Sequence, residues 1–209
     1  DFIIINGPIS KKSFLKKKYL GITEYLANKT KSKNEVMLIY NKNLSVVPLT
    51  THIPIKLVTN NITKKRIYNA VFKICKFYKE VLNKDAKIAV LGLNPHCETT
   101  LNFSEEEKII APSIKFLKNK GINIQGPFSA DTFFLNKNIK KYNLVIGMYH
   151  DQVLTPIKTL FEYDAINITL GLPFLRISPD HGPNENMIGK NVSNYLSLYK
   201  AISFLERLK

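Results

Sequence analysis

Leu144-Val145-Ile146-Gly147-Met148-Tyr149-His150-Asp151-Gln152 is the stretch that decides the fold. A short run of Val, Ile and Leu, too brief for a helix and apolar without alternation, reads as a strand buried on both faces. It runs straight into a histidine. Two other runs do the same. Residues 44–49 lead to His52 in Thr50-Thr51-His52-Ile53-Pro54, and residues 88–93 lead to His96 in Leu93-Asn94-Pro95-His96. In open α/β sheets, ligands collect at the carboxyl ends of the strands. Three imidazoles delivered to one sheet edge would form a metal site with open coordination positions. That is the arrangement of a catalytic rather than a structural ion.

The rest of the chain alternates. Residues 1–6 read as a strand, ahead of Gly7-Pro8 and a basic stretch. Residues 23–28 read as a short helix with Thr23 in the cap position, and residues 35–40 as a strand. Residues 63–83 give the clearest helix. Ile67, Val71, Ile74, Cys75, Tyr78 and Val81 recur at three and four residues as one apolar stripe, and Thr63 can cap it. Ser104-Glu105-Glu106-Glu107 has the form of a capping box, opening a helix that runs to about Lys120 with Gly121 as its stop. Pro112 falls inside that span and predicts a kink or a later start. Residues 165–170 and 174–177 read as short strands, and residues 191–209 as a closing amphipathic helix. Strands alternating with helices imply an α/β fold with a mixed, largely parallel sheet.

At 209 residues and 44% hydrophobic composition, the chain can bury a substantial core. No apolar run approaches the ~20 residues of a membrane span, and no signal-peptide pattern is visible. Two cysteines make no disulfide framework, which fits a reducing cytoplasm. The net charge of +15 invites a nucleic-acid reading, which the composition argues against. Only Arg66, Arg176 and Arg207 are arginines among 31 basic residues; the others are scattered lysines in a chain also rich in Asn and Ile. All three residue types have A/T-rich codons, so genome bias accounts for the charge without a nucleic-acid partner.

Residues 167–176 hold one arginine, Arg176, among apolar neighbours. A buried guanidinium needs an anion, either a structural carboxylate or a substrate carboxylate or phosphate. Lys158 follows His150 by eight residues and is a candidate for the same pocket. His181, in Pro179-Asp180-His181-Gly182, reads as a loop histidine, with a fourth metal ligand as the alternative. There is no Gly-x-Gly-x-x-Gly and no P-loop, so a nucleotide cofactor would be held without the usual fingerprint, and no residue is assigned to it.

These motifs carry a resemblance. Val90-Leu91-Gly92-Leu93-Asn94-Pro95-His96, Ala130-Asp131-Thr132, Met148-Tyr149-His150-Asp151-Gln152 and residues 167–176 resemble the 4-hydroxythreonine-4-phosphate dehydrogenase family. Weaker matches at Gly7-Pro8, Gly21-Ile22-Thr23-Glu24 and Thr50-Thr51-His52-Ile53-Pro54 extend it over nearly the whole chain. The resemblance implies a two-domain α/β architecture like that of isocitrate and isopropylmalate dehydrogenases, with this chain as its C-terminal portion. Residues 1 to about 60 would belong to a lobe completed by an N-terminal segment, and about 61 to 209 to the cofactor- and metal-binding lobe. It also implies NAD- or NADP-dependent oxidation of 4-phosphohydroxy-L-threonine to a 3-keto acid. That acid loses carbon dioxide to give 3-amino-2-oxopropyl phosphate, a step of pyridoxal 5'-phosphate (vitamin B6) biosynthesis. One divalent metal (zinc, magnesium or cobalt) would sit on His52, His96 and His150. Substrate contacts carry over to Thr23, Lys158, Asn167 and Arg176. The enzyme would be a homodimer with histidines from both chains at an interface site. Asp131, Asp151 and Lys158 are the candidates for proton transfer, the two aspartates alternatively orienting histidines.

Three departures accompany the resemblance. The chain lacks about the first third of the family's length and opens inside a strand without Met, as a fragment or a split or decayed gene product would. Ile22 stands where the family has His, which removes a donor to an anion. Cys97-Glu98-Thr99-Thr100-Leu101 replaces a Gly-rich loop that contains an acid. They motivate two alternatives to the family enzyme: a non-catalytic remnant of it, and a paralogue that oxidises a related four-carbon sugar-acid phosphate.

Overall fold

The structure, a computed structural model, describes residues 2–10, 18–19, 21–98, 103–206 and 208, apart from the side chain of Asn136. Most of the basic stretch after Gly7-Pro8, the loop residues Thr99, Thr100 and Leu101, and Arg207 lie outside the described residues. The strands are β1 Ile3–Ile5, β2 Val36–Tyr40, β3 Ser45–Thr50, β4 Ile88–Leu91, β5 Ile124–Phe128, β6 Leu144–Tyr149, β7 Ile166–Leu170 and β8 Leu175–Pro179. The helices are α1 Ile22–Lys29, α2 Val58–Asn61, α3 Lys64–Glu80, α4 Ala111–Asn119, α5 Ala130–Phe133, α6 Asn136–Ile139, α7 His150–Phe161 and α8 Leu196–Glu206.

The chain forms two compact units, residues 1–41 with 158–209, and residues 42–157. β7 and β8, from late in the chain, return to β2 and β1.

In the unit of residues 42–157, β3, β6, β4 and β5 lie in that order, all parallel. β3 and β4 are buried along their whole length, and β6 along all but its last residue. Strands buried on both faces carry continuous apolar runs instead of alternation. α3 buries Ile67, Ala70, Val71, Ile74, Phe77 and Tyr78, close to the expected stripe, with Cys75 half-buried at its edge. Burial of Ile67, Val71, Ile74 and Phe77 contributes about 1.5–3 kcal/mol each relative to exposure. Thr63 caps α3 by accepting the Arg66 N–H at 3.2 Å.

The helix expected from Ser104 is built in two pieces. Glu106–Ile110 forms a π turn, and α4 follows with Pro112 in its first turn. Pro112 has no N–H to return to the turn before it, and the widened turn absorbs the expected kink. At the far end Gly121 takes φ +80. The bonds from Ile122 N to Leu117 O and from Gly121 N to Lys118 O close a Schellman motif there. β5 is not among the expected strands. Gly126 and Pro127 interrupt its pattern, which an edge strand tolerates.

In the unit of residues 1–41 and 158–209 the order is β1-β8-β7-β2. β1 runs parallel to β8, while β8, β7 and β2 are antiparallel neighbours. α8 buries Ser197, Ala201 and Phe204, and the Phe204 ring meets Tyr40 edge-on at 5.1 Å. α8 starts later than expected because Asn194 Oδ1 accepts the Leu196 N–H at 2.9 Å. Gly21, not Thr23, holds the cap position of α1, and no side chain caps it. Parallel pairings dominate, as the α/β class with a mixed, largely parallel sheet requires. No helix of the described residues is long and apolar enough to cross a membrane.

Candidate active site

Because β3, β6 and β4 are parallel neighbours, their carboxyl ends share one edge. The register pairs Thr50 with Tyr149, so His52 and His150 emerge side by side, with ring centroids 5.9 Å apart. Thr50 Oγ1 donates to Met148 O at 2.8 Å and ties the two strand ends together. His150 opens α7, and its Nδ1 lies 2.6 Å from Asp151 Oδ1. A carboxylate at Nδ1 favours the proton there and leaves Nε2 to offer its lone pair to an ion.

His96 sits on the 3-10 turn Pro95–Cys97 that follows β4. His96 at φ 56 and Cys97 at φ 61 are both left-handed, a strain on the order of 1–3 kcal/mol each for non-glycine residues. Two polar side chains, buried Glu106 and half-buried Gln152, hold the approach to this turn. Glu106, only 3% exposed, accepts from Leu93 N at 2.6 Å, Asn94 N at 2.8 Å, Asn94 Nδ2 at 2.8 Å and Ser104 Oγ at 2.9 Å. Burial alone would raise its pKa. The hydrogen bonds from Asn94 and Ser104 outweigh burial and hold the carboxyl below its usual range. Gln152 in α7 accepts from Met148 N at 2.6 Å and donates to Gly92 O at 2.7 Å, joining the ends of β6 and β4. Asp131 Oδ2 lies 3.8 Å from His96 Nδ1. A hydrogen bond from Ser129 and the neighbouring His96 keep the Asp131 carboxyl below its usual range. Burial and the charge of Glu106 push the Cys97 thiol up, so it stays protonated and inert at neutral pH.

Among the described residues, no three His, Cys, Asp or Glu side chains are grouped closely enough to hold one ion. The donors therefore fit a divalent metal in part. His52 and His150 offer adjacent imidazoles, one oriented by Asp151, while His96 stands outside that pair beside Asp131.

The other unit gathers the anion-binding candidates. Arg176 is 1% exposed; its Nε donates to Asn6 Oδ1 at 2.7 Å and its Nη1 to Thr169 Oγ1 at 3.2 Å. The register pairs Thr169 with Arg176 and Asn167 with Ser178, which puts all four on one sheet face. Burial pushes Arg176 down to about 10, against the charge of Glu24 in α1, so it remains cationic at neutral pH. Asn167 Oδ1 is buried without a hydrogen-bond partner, an acceptor that a ligand donor would satisfy. Lys158 donates to Asp180 O at 2.7 Å and pairs with the Asp180 carboxylate, whose second oxygen is buried and unpartnered. Asp180 N in turn donates to Ser197 Oγ at 3.0 Å. Thr23 lies half-buried in the first turn of α1. His181 is a loop histidine that meets the Tyr163 ring edge-on at 6.2 Å.

Five polar residues of these sites escape the sequence reading: Asn6, Glu106, Gln152, Thr169 and Asp180. Glu106 looks like one more acid in a helical first turn. Only the apolar run after it and the strand before it hint that it faces inward.

The 4-hydroxythreonine-4-phosphate dehydrogenase of a Sulfurihydrogenibium species is 42% identical over 210 residues, which is 99% of this chain and 65% of that protein. The D-threonate 4-phosphate dehydrogenase of Pectobacterium atrosepticum is 40% identical over 165 residues, 78% of this chain and 51% of that protein. The crystal structure of the 4-hydroxythreonine-4-phosphate dehydrogenase from Klebsiella pneumoniae superposes with a TM-score of 0.82 at 32% identity, covering 99% of this chain and 64% of that one. The expected isocitrate dehydrogenase-like fold therefore stands. The chain spans less than two-thirds of the length of each of these three proteins. Residues 2–205 match the family described as pyridoxal phosphate biosynthetic protein PdxA, and the chain belongs to that family.

Proposed function

We propose that this chain is the greater part of a cytoplasmic, homodimeric dehydrogenase that oxidises 4-phosphohydroxy-L-threonine with NAD or NADP. The 3-keto product then loses carbon dioxide to give 3-amino-2-oxopropyl phosphate, on the route to pyridoxal 5'-phosphate. The observation that carries the reading is the pairing of His52 with His150 at the carboxyl edge of parallel strands, in a chain of this family. His52, His96 and His150 would hold one divalent ion (zinc, magnesium or cobalt), with histidines from two copies completing its shell. When bound, that ion supplies Lewis acidity at the substrate hydroxyl.

The chain's own residues do the rest. Asp151 orients His150, and Asp131 steadies His96 or moves a proton beside it. Arg176, already fixed by Asn6 and Thr169, offers a charge that needs no reorganisation to meet an anionic group. Lys158 meets the substrate by sharing its ammonium with Asp180, and Thr23 and Asn167 complete the contacts.

The test is NADH absorbance on mixing the complete protein with 4-phosphohydroxy-threonine, NAD and a divalent metal. A rate abolished by His150→Ala supports the reading, and no NADH from the metal-loaded protein removes it. A second reading, a paralogue acting on a four-carbon sugar-acid phosphate, draws on the D-threonate 4-phosphate dehydrogenase relative and on Ile22. Faster turnover of D-threonate 4-phosphate than of 4-phosphohydroxy-threonine selects it. Absent turnover on both, with metal still held by the histidines, leaves the non-catalytic remnant.

A further inference from the structure

Parallel strands set three histidine-bearing ends on one edge, but strand pairing stops before the histidines begin. β4 ends at Leu91, five residues short of His96, and the backbone turns left-handed at His96 itself and at Cys97. Such a segment keeps one conformation only if something outside it fixes its N–H and C=O groups. Two side chains do so. Gln152 spans from Met148 N, two residues before His150, to Gly92 O. Glu106 takes the next two backbone N–H groups, those of Leu93 and Asn94, on a single oxygen and the Asn94 side chain on the other. Gly92 N donates to Phe128 O at 2.9 Å, which closes the remaining side. Gly92 N, Gly92 O, Leu93 N and Asn94 N are thus held by β5, α7 and the π turn. The fit leaves no slack: a Cβ on Gly92 would lie 3.0 Å from Glu106 Oε1, and one on Gly147 would lie 3.0 Å from Gln152 Oε1.

We propose that Gln152 and Glu106 are positioning residues that set where the His96 imidazole stands relative to His150 on the carboxyl edge. The proposal rests on the functional reading above for its purpose, but its geometry can be tested separately. Neither side chain touches substrate in this scheme. Gln152 fixes the separation between the β6 and β4 ends, and Glu106 fixes the direction in which the chain leaves β4. Both act through hydrogen bonds whose loss leaves buried partners unsatisfied.

The experiment compares crystal structures and Co(II) affinity of the full chain with those of Gln152→Met and Glu106→Gln. Gln152→Met removes both bridging bonds at nearly constant volume. Glu106→Gln keeps an oxygen for Leu93 and Asn94 but turns an amide toward Asn94 Nδ2, so it serves where the first variant fails to fold. Thr63→Ala, which removes the distant cap of α3, is the control for general loss of stability. We expect residues 92–98 to shift in both variants and Co(II) affinity to fall roughly 10- to 100-fold. The Co(II) visible spectrum should change, and Thr63→Ala should bind as the parent does. Unmoved residues 92–98 in either folded variant overturn the proposal, as does an equal loss of affinity in Thr63→Ala. If the parent binds no Co(II), the metal reading falls while the comparison of backbone positions still decides the positioning role.

Discussion

Gly147 lacks a side chain because α7 leaves no room for one. A Cβ there would stand 2.5 Å from Val153 Cγ1. Gly147→Ala should cost about 1–3 kcal/mol by overpacking, read as a shift in the urea midpoint. Adding Val153→Ala should recover part of that loss, because the two residues are in contact. Glu106 gives a second test at this scale. Its folded pKa lies below its ordinary value of 4.5. Its contribution to stability is therefore complete above that ordinary value and disappears as pH falls through the folded one. Glu106→Gln should flatten the dependence of thermal midpoint on pH between neutral and about pH 3, measured by circular dichroism. The sequence makes the histidines and Arg176 legible because each stands out chemically from its neighbours. It hides Asn6, Thr169 and Asp180 because their roles depend on which side chains the folded strands and helices set beside them.

Elements with a strong period are readable, and those decided by their neighbours are not. α3 carries its stripe and its cap in the local sequence: Thr63 caps it, and Ile67, Val71, Ile74 and Tyr78 of the expected stripe are buried. β5 carries Gly126 and Pro127, and only its place beside β4 makes it a strand. α4 shows the same limit: Pro112 announces an irregularity, but its form, one wide turn before the proline, depends on how Glu106 is drawn inward. Burial differs sharply between elements. β3, β6 and β4 are covered on both faces, whereas β1 is three residues long with Ile3 42% exposed. Hydrogen exchange should therefore release the β1 amides first and those of Val46, Val90 and Ile146 last. Equal protection of β1 and β4 would contradict this ordering.

At the scale of the whole molecule, the charge of +15 works against compaction. Several ion pairs among the described residues are exposed, such as Lys76 with Glu80 and Lys79 with Asp85, so they offset little of it. Raising NaCl from 0.05 to 0.5 M should lift the thermal midpoint by a few degrees, roughly 1 kcal/mol, as self-repulsion is screened. An unchanged or lower midpoint would show that local pairs outweigh the net charge. Composition makes this property visible at once. It does not reveal the interleaving of the units, since nothing local in residues 3–5 names residues 175–177 as their partner.

That interleaving has a consequence for the newly made chain. Residues 42–157 are contiguous and can close their sheet as soon as they leave the ribosome. β1 and β2 emerge earlier, yet their partners β8 and β7 are translated only near the end. Throughout that interval Ile3-Ile4-Ile5 and Val36-Met37-Leu38-Ile39-Tyr40 lack the strands that β8 and β7 later supply, and the edges left bare are open to the wrong neighbour. The chain's most vulnerable moment is thus written into its order of synthesis.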